Sequence, residues 1–251
     1  MHEAFFFGPA DQQIFATYHP AAGGGGQVLT VICPPLFSDY MRTHLALREI
    51  AMAVAERGQH VLRFDYRGTG DSFGDLGEVT VSDWLEDIAL AVREGLEISG
   101  SGIVRLLGVR ASALLACVAA RASSDVQRLV LWDPISDGPG YLKVLRSIQE
   151  MMLQQNYYLS RAERREAMNE YAGYSLSARM LEEFRLLDTN TYSSIARSKL
   201  LVVRTSPESA IPVQGAHEAF VPFACKWESS YSEDLIVARP ILERLIAFLD
   251  Q

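Results

Sequence analysis

The chain has little of what marks secreted, membrane or nucleic-acid-binding proteins. Its 251 residues include three cysteines, an odd number in widely separated apolar surroundings, which suits reduced core thiols better than disulfides. The net charge is −8, so we expect no basic face for nucleic acid or for an anionic membrane. The longest apolar stretches, such as residues 111–120, are too short to span a bilayer, and the start lacks the pattern of a signal peptide. These shortages favour a cytoplasmic protein without a membrane span or a nucleic-acid partner.

What the sequence has instead is an alternation of short apolar runs and helical patterns. Runs rich in Val, Ile and Leu predict strands at 14–19, 28–33, 60–64, 104–109, 129–132, 200–204 and 220–226. Apolar residues at helical spacing predict helices at 45–57, 81–97, 111–122 and 236–249. Such an alternation is typical of an α/β fold with a mostly parallel, doubly wound sheet.

One long segment, residues 139–191, interrupts this alternation. It has helical patterns but no obvious strand, and it separates two strands that should be neighbours. We therefore predict a core made of residues 1–138 and 192–251, with a helical cap at 139–191. The Met and Tyr residues of the cap either line a pocket or fill the core, and core filling is the commoner use.

A strand-to-helix turn at Gly108-Val109-Arg110-Ala111-Ser112 has the spacing of a G-x-S-x-G nucleophile elbow but lacks its serine. Such a turn needs small residues two before and two after its central residue, because larger side chains would collide there. Gly108 and Ser112 keep that space, whereas Arg110 removes the nucleophile. The sequence therefore predicts an elbow that keeps its shape and has lost serine chemistry.

Five stretches together resemble one known family. They are Cys33-Pro34-Pro35-Leu36-Phe37, residues 61–72 (VLRFDYRGTGDS), Gly108-Val109-Arg110, residues 129–134 (LVLWDP) and Ala172-Gly173-Tyr174-Ser175-Leu176. The whole chain resembles the α/β-hydrolase superfamily in its serine aminopeptidase-like branch, and more narrowly the hydrolase-like proteins associated with exosortase systems. The resemblance implies an α/β-hydrolase fold with a helical cap insertion. It implies function only loosely, because this fold serves many chemistries.

Hydrolases of this fold take the nucleophile, the acid and the histidine from successive strand ends, in that order. Arg110 stands at the first place, and Glu208, in the turn over 205–212, stands at the second. The third place, around residues 227–234, contains no histidine. The resemblance therefore implies a degenerate triad with a surviving acid and no base.

Other residues are weak replacements for the lost groups. His217 is predicted on a helix after the acid turn, which is the wrong element for a base. His44, expected in the loop after the strand at 28–33, is a candidate for ligand contact near the mouth of the site. Ser112 has no base to activate it and is interpreted as structural, and Cys33, which ends a buried strand, is expected to pack.

Two roles for Arg110 stay open. It pairs with Glu208 across the former triad, which we favour because an acid is assigned nearby, or it binds a carboxylate or phosphate of a ligand. In the second case the ligand would also use the former oxyanion hole, whose donors are the Ala111 N–H and the N–H of Leu36 or Phe37. The ligand-binding candidates are thus Leu36, Phe37, Asp39, Tyr40, His44, Arg110, Ala111 and Glu208.

The leading hypothesis is a non-hydrolytic protein that binds an acyl, peptide or anionic small-molecule ligand in a biosynthetic context, with a carrier protein or biosynthetic partner. The alternative is a repurposed enzyme that acts on a CoA-linked or carrier-linked acyl group by acyl transfer, thioester or ester chemistry, or lyase or cyclase chemistry. A third interpretation is an interaction module with a collapsed pocket. No cofactor and no metal are expected. A dinucleotide site in particular is disfavoured, since the glycines at 68, 70 and 74 lack the spacing and the following helix of that motif.

Overall fold

One eight-stranded sheet organises this computed structural model, which describes residues 2–193, 195, 199–205, 216–222, 225, 227 and 239–249. The strands are β1 (Glu3–Phe7), β2 (Ile14–His19), β3 (Val28–Cys33), β4 (His60–Phe64), β5 (Ile103–Val109), β6 (Val126–Trp132), β7 (Leu200–Arg204) and β8 (His217–Phe220). Their order in the sheet is β1-β2-β4-β3-β5-β6-β7-β8. Strand β2 is antiparallel to both β1 and β4, and the remaining neighbours are parallel. The predicted mostly parallel sheet is confirmed.

Helices cover both faces of the sheet. Helices α1 (Ser38–Glu56) and α8 (Arg239–Leu249) share one core cluster, whereas α2 (Val81–Ser99) and α3 (Ser112–Ala122) share the other. Along β5, Leu106 belongs to the α2 and α3 cluster and Leu107 to the α1 and α8 cluster. Successive strand residues point to opposite faces, so burial of both faces explains why the strands read as continuous apolar runs.

The segment between β6 and β7 is helical, as the sequence predicts. It contains α4 (Gly138–Gln155), α5 (Arg161–Ala167), α6 (Ala178–Arg185) and α7 (Asn190–Ser193), which we call the helical insertion. Among its described residues, the one β-type pairing is an isolated bridge between Tyr171 and Tyr174. Tyr141 and Phe184 of the insertion are buried in the same core cluster as α2 and α3. The insertion therefore packs on the core, while its status as a separate cap domain stays a prediction.

Two element predictions were wrong, and one strand was missed. The strand predicted at 220–226 is β8 at His217–Phe220, whose residues are mostly exposed at the sheet edge and so lack an apolar run. The edge strand β1 was not predicted. Helix α1 begins at Ser38 rather than at residue 45, because its first turns bury Asp39, Arg42 and Thr43, which an apolar pattern does not detect.

No described helix offers a stretch long and apolar enough to cross a membrane.

Candidate functional site

The predicted elbow is present between β5 and α3. Arg110 has φ 53°, the left-handed conformation that non-glycine residues rarely adopt. A Cβ atom on Gly108 would lie 2.8 Å from the Ala113 Cα atom and 2.9 Å from the Ala116 Cβ atom, so the strand and the helix approach too closely for a side chain there. The buried Ser112 hydroxyl donates to the Pro34 carbonyl at 2.5 Å. The small residues of the elbow thus have packing roles.

Of the four described non-glycine residues with positive φ, three lie around this elbow, and the fourth is Ala172 in the helical insertion. Phe37, Arg110 and Asp133 all have positive φ, at 56°, 53° and 40°. They follow β3, β5 and β6, which are adjacent in the sheet and parallel. A residue held in such a conformation costs about 1–3 kcal/mol, and residues of this kind cluster at functional sites. The carboxyl ends of these three strands therefore form the candidate site.

The Arg110 side chain lies over this site with long polar contacts. Its Nε atom is 3.5 Å from Asp39 Oδ2, and its Nη1 atom is 3.4 Å from the Asp133 carbonyl oxygen. The guanidinium carbon lies 4.9 Å from the centroid of the Trp227 ring, and the side chain is 11% exposed. Because guanidinium has five N–H donors, these two long contacts with described residues leave donors for a further partner.

Asp39 links the elbow to the helical insertion. It lies in the first turn of α1, and its Oδ2 atom accepts a hydrogen bond of 3.0 Å from the Tyr141 hydroxyl of α4. Burial raises the pKa of Asp39, and the charge of Arg110 and the Tyr141 hydrogen bond oppose that shift. Burial also raises the pKa of Tyr141, to which the Asp39 charge adds. Tyr141 is therefore a protonated donor at neutral pH.

Asp133 holds the floor of the site in place. Its Oδ1 atom accepts from the Thr205 backbone N–H at 2.7 Å, and its Oδ2 atom accepts from the Thr205 hydroxyl at 2.5 Å and the Trp227 indole at 2.8 Å. The Trp227 carbonyl accepts from Arg42 Nη1 at 2.9 Å. These bonds fix the Trp227 ring against the Arg110 guanidinium, an arrangement that favours a cation.

An aromatic cluster lies beside these polar groups. The Phe37 ring packs against four other rings, with centroids 5.3 to 6.4 Å away, from Trp84, Tyr141, Tyr174 and Phe184. Three of these four rings belong to the helical insertion. The surroundings of Arg110 and Asp39 are therefore mostly apolar, which strengthens electrostatic interactions there.

Backbone donors are also found at this place. Among the described residues, neither the Ala111 N–H nor the Phe37 N–H has a hydrogen-bond acceptor. The Leu36 side chain is buried in the core. The Ala111 and Phe37 N–H groups follow adjacent strands of the sheet, and their use as a former oxyanion hole stays a prediction.

Two predicted site residues lie elsewhere. The Tyr40 hydroxyl donates to Asp65 Oδ1 at 2.5 Å, and both side chains line a separate cavity of about 80 Å³. His44 lies on α1 rather than in the predicted loop, is exposed, and has its Nδ1 atom 2.8 Å from the Met41 carbonyl. No contact joins either residue to Arg110 within the described part of the chain.

The remaining candidates for the triad are His217, Cys33 and Glu208. His217 lies on strand β8 and not on the predicted helix, and its side chain is exposed. Burial raises the pKa of Cys33 to about 12, so its thiol stays protonated at neutral pH and is a poor nucleophile. Glu208 and residues 228–238 lie outside the described residues, so a Glu208 pairing stays a prediction.

The structure brings to the site three residues that sequence reasoning did not assign to it. These are Asp133, Tyr141 and Trp227. Asp133 directly follows a buried strand, as Arg110 does, and that position was a usable signal. Tyr141 and Trp227 gave no such signal, because only the packing of α4 and of the chain after β8 brings them to Arg110.

The sheet order, the helices on both faces and the elbow after β5 define the α/β-hydrolase fold. No family model and no curated protein sequence matches the chain. Solved structures that share its fold include the α/β hydrolase GrgF from Penicillium sp. sh18, with 17% identity, a TM-score of 0.67 and coverage of 100% of this chain and 98% of that one. The esterase of Pyrococcus furiosus has 14% identity, a TM-score of 0.65 and coverage of 100% and 90%. A thioesterase domain from the curacin biosynthetic pathway has 14% identity, a TM-score of 0.57 and coverage of 100% of both chains.

Proposed function

We propose that this chain is a non-hydrolytic α/β-hydrolase-fold protein that uses Arg110 to bind the carboxylate or another anionic group of an acyl or peptide ligand. One observation carries the proposal: the elbow is retained with an arginine at its centre, and the guanidinium faces Asp39 and the Asp133 carbonyl at 3.5 and 3.4 Å. These distances exceed the usual length of a charge-assisted hydrogen bond, so a ligand oxygen would improve on them. The former nucleophile position would thereby become an anion-binding position.

The surrounding groups support an anionic ligand with an apolar body. The Ala111 and Phe37 N–H groups are donors without acceptors among the described residues, and the first turn of α3 adds the positive end of its dipole. The ring of Tyr174 is partly exposed and supplies apolar surface, while the Phe37 and Phe184 rings that pack beside it are buried. Asp39 would compete with the ligand for Arg110, because both are acceptors for the same donors.

The non-hydrolytic part of the proposal is tested with a fluorophosphonate probe, which labels activated serines covalently. We expect no stoichiometric adduct by intact-mass measurement after prolonged incubation, since the Ser112 hydroxyl donates to the Pro34 carbonyl and the nucleophile position of the elbow holds Arg110. An active serine esterase is the positive control. Stoichiometric labelling of any serine of the chain would overturn this part.

The binding part is tested with phenylacetate, whose aromatic body and carboxylate match the site, and with neutral phenylacetamide as its matched probe. We expect calorimetry to show binding of phenylacetate and a loss of at least about tenfold in affinity in Arg110→Gln. Phenylacetamide should bind weakly to both proteins. Equal affinities of wild type and Arg110→Gln for phenylacetate would contradict the role of Arg110.

A repurposed enzyme is the second candidate, and Asp39 favours it. Its buried carboxyl has a raised pKa and lies between Arg110 and the Tyr141 hydroxyl, which is the setting of a general acid or base beside a cation. An acyl thioester would place its carbonyl oxygen at Arg110 and the backbone donors. Turnover of acyl-CoA substrates that is lost in both Asp39→Asn and Arg110→Gln would favour this candidate over ligand binding alone.

The finer assignments from the sequence belong to the same proposal. They are the exosortase-associated branch, the cytoplasmic location, a carrier protein or biosynthetic partner, and the division into a core and a cap at 139–191. The Tyr141–Asp39 hydrogen bond supports the cap as part of the site, because it joins the insertion to the elbow region.

A further inference from the structure

A second cavity lies between α2 and α3, away from the elbow. Its volume is about 310 Å³, at the lower end of the range for small-molecule pockets. Its walls are mainly aliphatic and come from both helices, with strand β5 at the floor; they include Ile88, Val92, Leu96, Leu106, Val118 and Ala119. These walls would therefore recognise the apolar part of a ligand.

The sequence of α3 explains why this space is not filled. The helix has only 11 residues, and its second half carries small side chains at Ala119, Ala120 and Ala122. Protein cores are otherwise packed with few voids larger than a water molecule. Ala119 follows Ser112 by seven residues, so it lies about 10 Å along the helix from the elbow end. The cavity is thus separate from the site around Arg110.

Cationic side chains border the cavity. Arg93 lines it from α2, is exposed, and has no hydrogen-bonded or ion-paired partner among the described residues. An adjoining cleft of about 180 Å³ shares Ser123 and Val126 with the cavity and is lined by Arg121 and Lys199. An acidic residue, Asp125, also lines the cavity. The cavity alone is lined by one cation and one anion, and the adjoining cleft, which Arg128 also lines, gives the two together an excess of positive charge that is complementary to an anion.

We propose that the cavity binds an aliphatic carboxylate of medium chain length, with its alkyl chain between α2 and α3 and its carboxylate at Arg93. The apolar walls recognise the hydrocarbon, and burial of that chain supplies the favourable free energy. Arg93 gives the bidentate geometry that a carboxylate prefers. Asp125 weakens binding by charge repulsion.

Decanoate is the probe, with decanol as its neutral counterpart, and binding to the purified full chain is measured by calorimetry. Ala89→Trp, at an exposed helical position that lines the cavity, should reduce decanoate affinity at least about tenfold. Ala162→Trp, at an exposed helical position on α5, is the matched control and should bind as wild type does. Arg93→Gln should weaken decanoate but not decanol, and Asp125→Asn should strengthen decanoate.

The variant Arg110→Gln distinguishes decanoate binding at the elbow from decanoate binding in the cavity. Decanoate binding that survives Arg110→Gln and is lost in Ala89→Trp supports the cavity, whatever the outcome at the elbow. Loss in Arg110→Gln with retention in Ala89→Trp would place decanoate at the elbow and overturn this inference. If decanol binds as tightly as decanoate and Arg93→Gln affects neither, the proposed recognition of the carboxylate is overturned. An absence of decanoate binding would overturn the whole inference.

Discussion

The tight turn at the elbow requires the backbone conformation of Arg110, but it does not require an arginine side chain. The left-handed φ of 53° belongs to the sharp passage from β5 into α3, and it persists although the residue is neither glycine nor serine. The side chain is then held by groups from three other places in the chain: Asp39, the Asp133 carbonyl and the Trp227 ring. A permanent cation in such surroundings favours an anion nearby, which Asp39 supplies in part.

Asp39 is therefore the residue that should control ligand affinity. Asp39→Asn keeps an oxygen that accepts from Tyr141 but removes the charge that competes for Arg110, so phenylacetate affinity at neutral pH should rise about tenfold. The pKa of Asp39 is raised by burial, so lowering the pH of the wild type through that pKa should also strengthen binding, until the ligand itself is protonated. The variant should lack this pH dependence. Calorimetry at a series of pH values checks both, with exposed Asp11→Asn as control, and weaker binding by Asp39→Asn would contradict the competition.

At the scale of elements, the close approach of β5 and α3 preserves the elbow. Gly108 permits it, since a Cβ there would meet Ala113 and Ala116. Helix α2 is tied to the turn after β4 by Arg67, whose Nε atom lies 2.6 Å from Asp87 Oδ1, and whose carbonyl accepts from the Trp84 indole at 3.1 Å.

Most strands could be predicted from apolar runs because both of their faces are buried. The start of α1 and the edge strands β1 and β8 could not, because polar residues are buried in the first case and many strand residues are exposed in the others.

Gly108→Ala should destabilise the protein by about 1–3 kcal/mol, because the added methyl group meets backbone and forces β5 and α3 apart. Gly102→Ala is the matched control, since nothing lies within 4 Å of a Cβ at that position. The control should change the free energy of unfolding by less than about 1 kcal/mol. Urea denaturation of the three proteins measures the difference. Equal stabilities of the two variants would show that the elbow tolerates a side chain at Gly108.

At the scale of the whole molecule, several buried carboxyls have pKa values that burial raises, among them Asp39, Asp65 and Asp87. For Asp87 the value is about 6, because burial outweighs the opposing hydrogen bonds and charge of Arg67. A carboxyl whose folded-state pKa exceeds its unfolded value stabilises the fold at low pH, and that contribution is lost as the pH rises through the folded pKa. The contribution of Asp87 should thus be lost between about pH 4 and 7.

Asp87→Asn should reduce this pH-dependent loss of stability. Between pH 4 and 7, the free energy of unfolding of the wild type should fall by about 2 kcal/mol more than that of the variant. Chemical denaturation at several pH values measures this difference, and Asp11→Asn, at an exposed site, should follow the wild type. A difference of the opposite sign would mean that Arg67 lowers the pKa of Asp87 by more than burial raises it.

The sequence by itself determined the alternation of strands and helices, the helical insertion, and an elbow without a serine. These depend on local patterns: apolar periodicity, the spacing of Gly108 and Ser112 about Arg110, and the order of elements along the chain. The partner of Arg110 was decided only by the tertiary structure. A pairing with Glu208, favoured from chain order, stays a prediction because Glu208 lies outside the described residues; among those residues Arg110 contacts Asp39, 71 residues away, with Tyr141 behind it. Such contacts depend on how α1 and α4 pack over parallel strand ends, and no local pattern contains that distance.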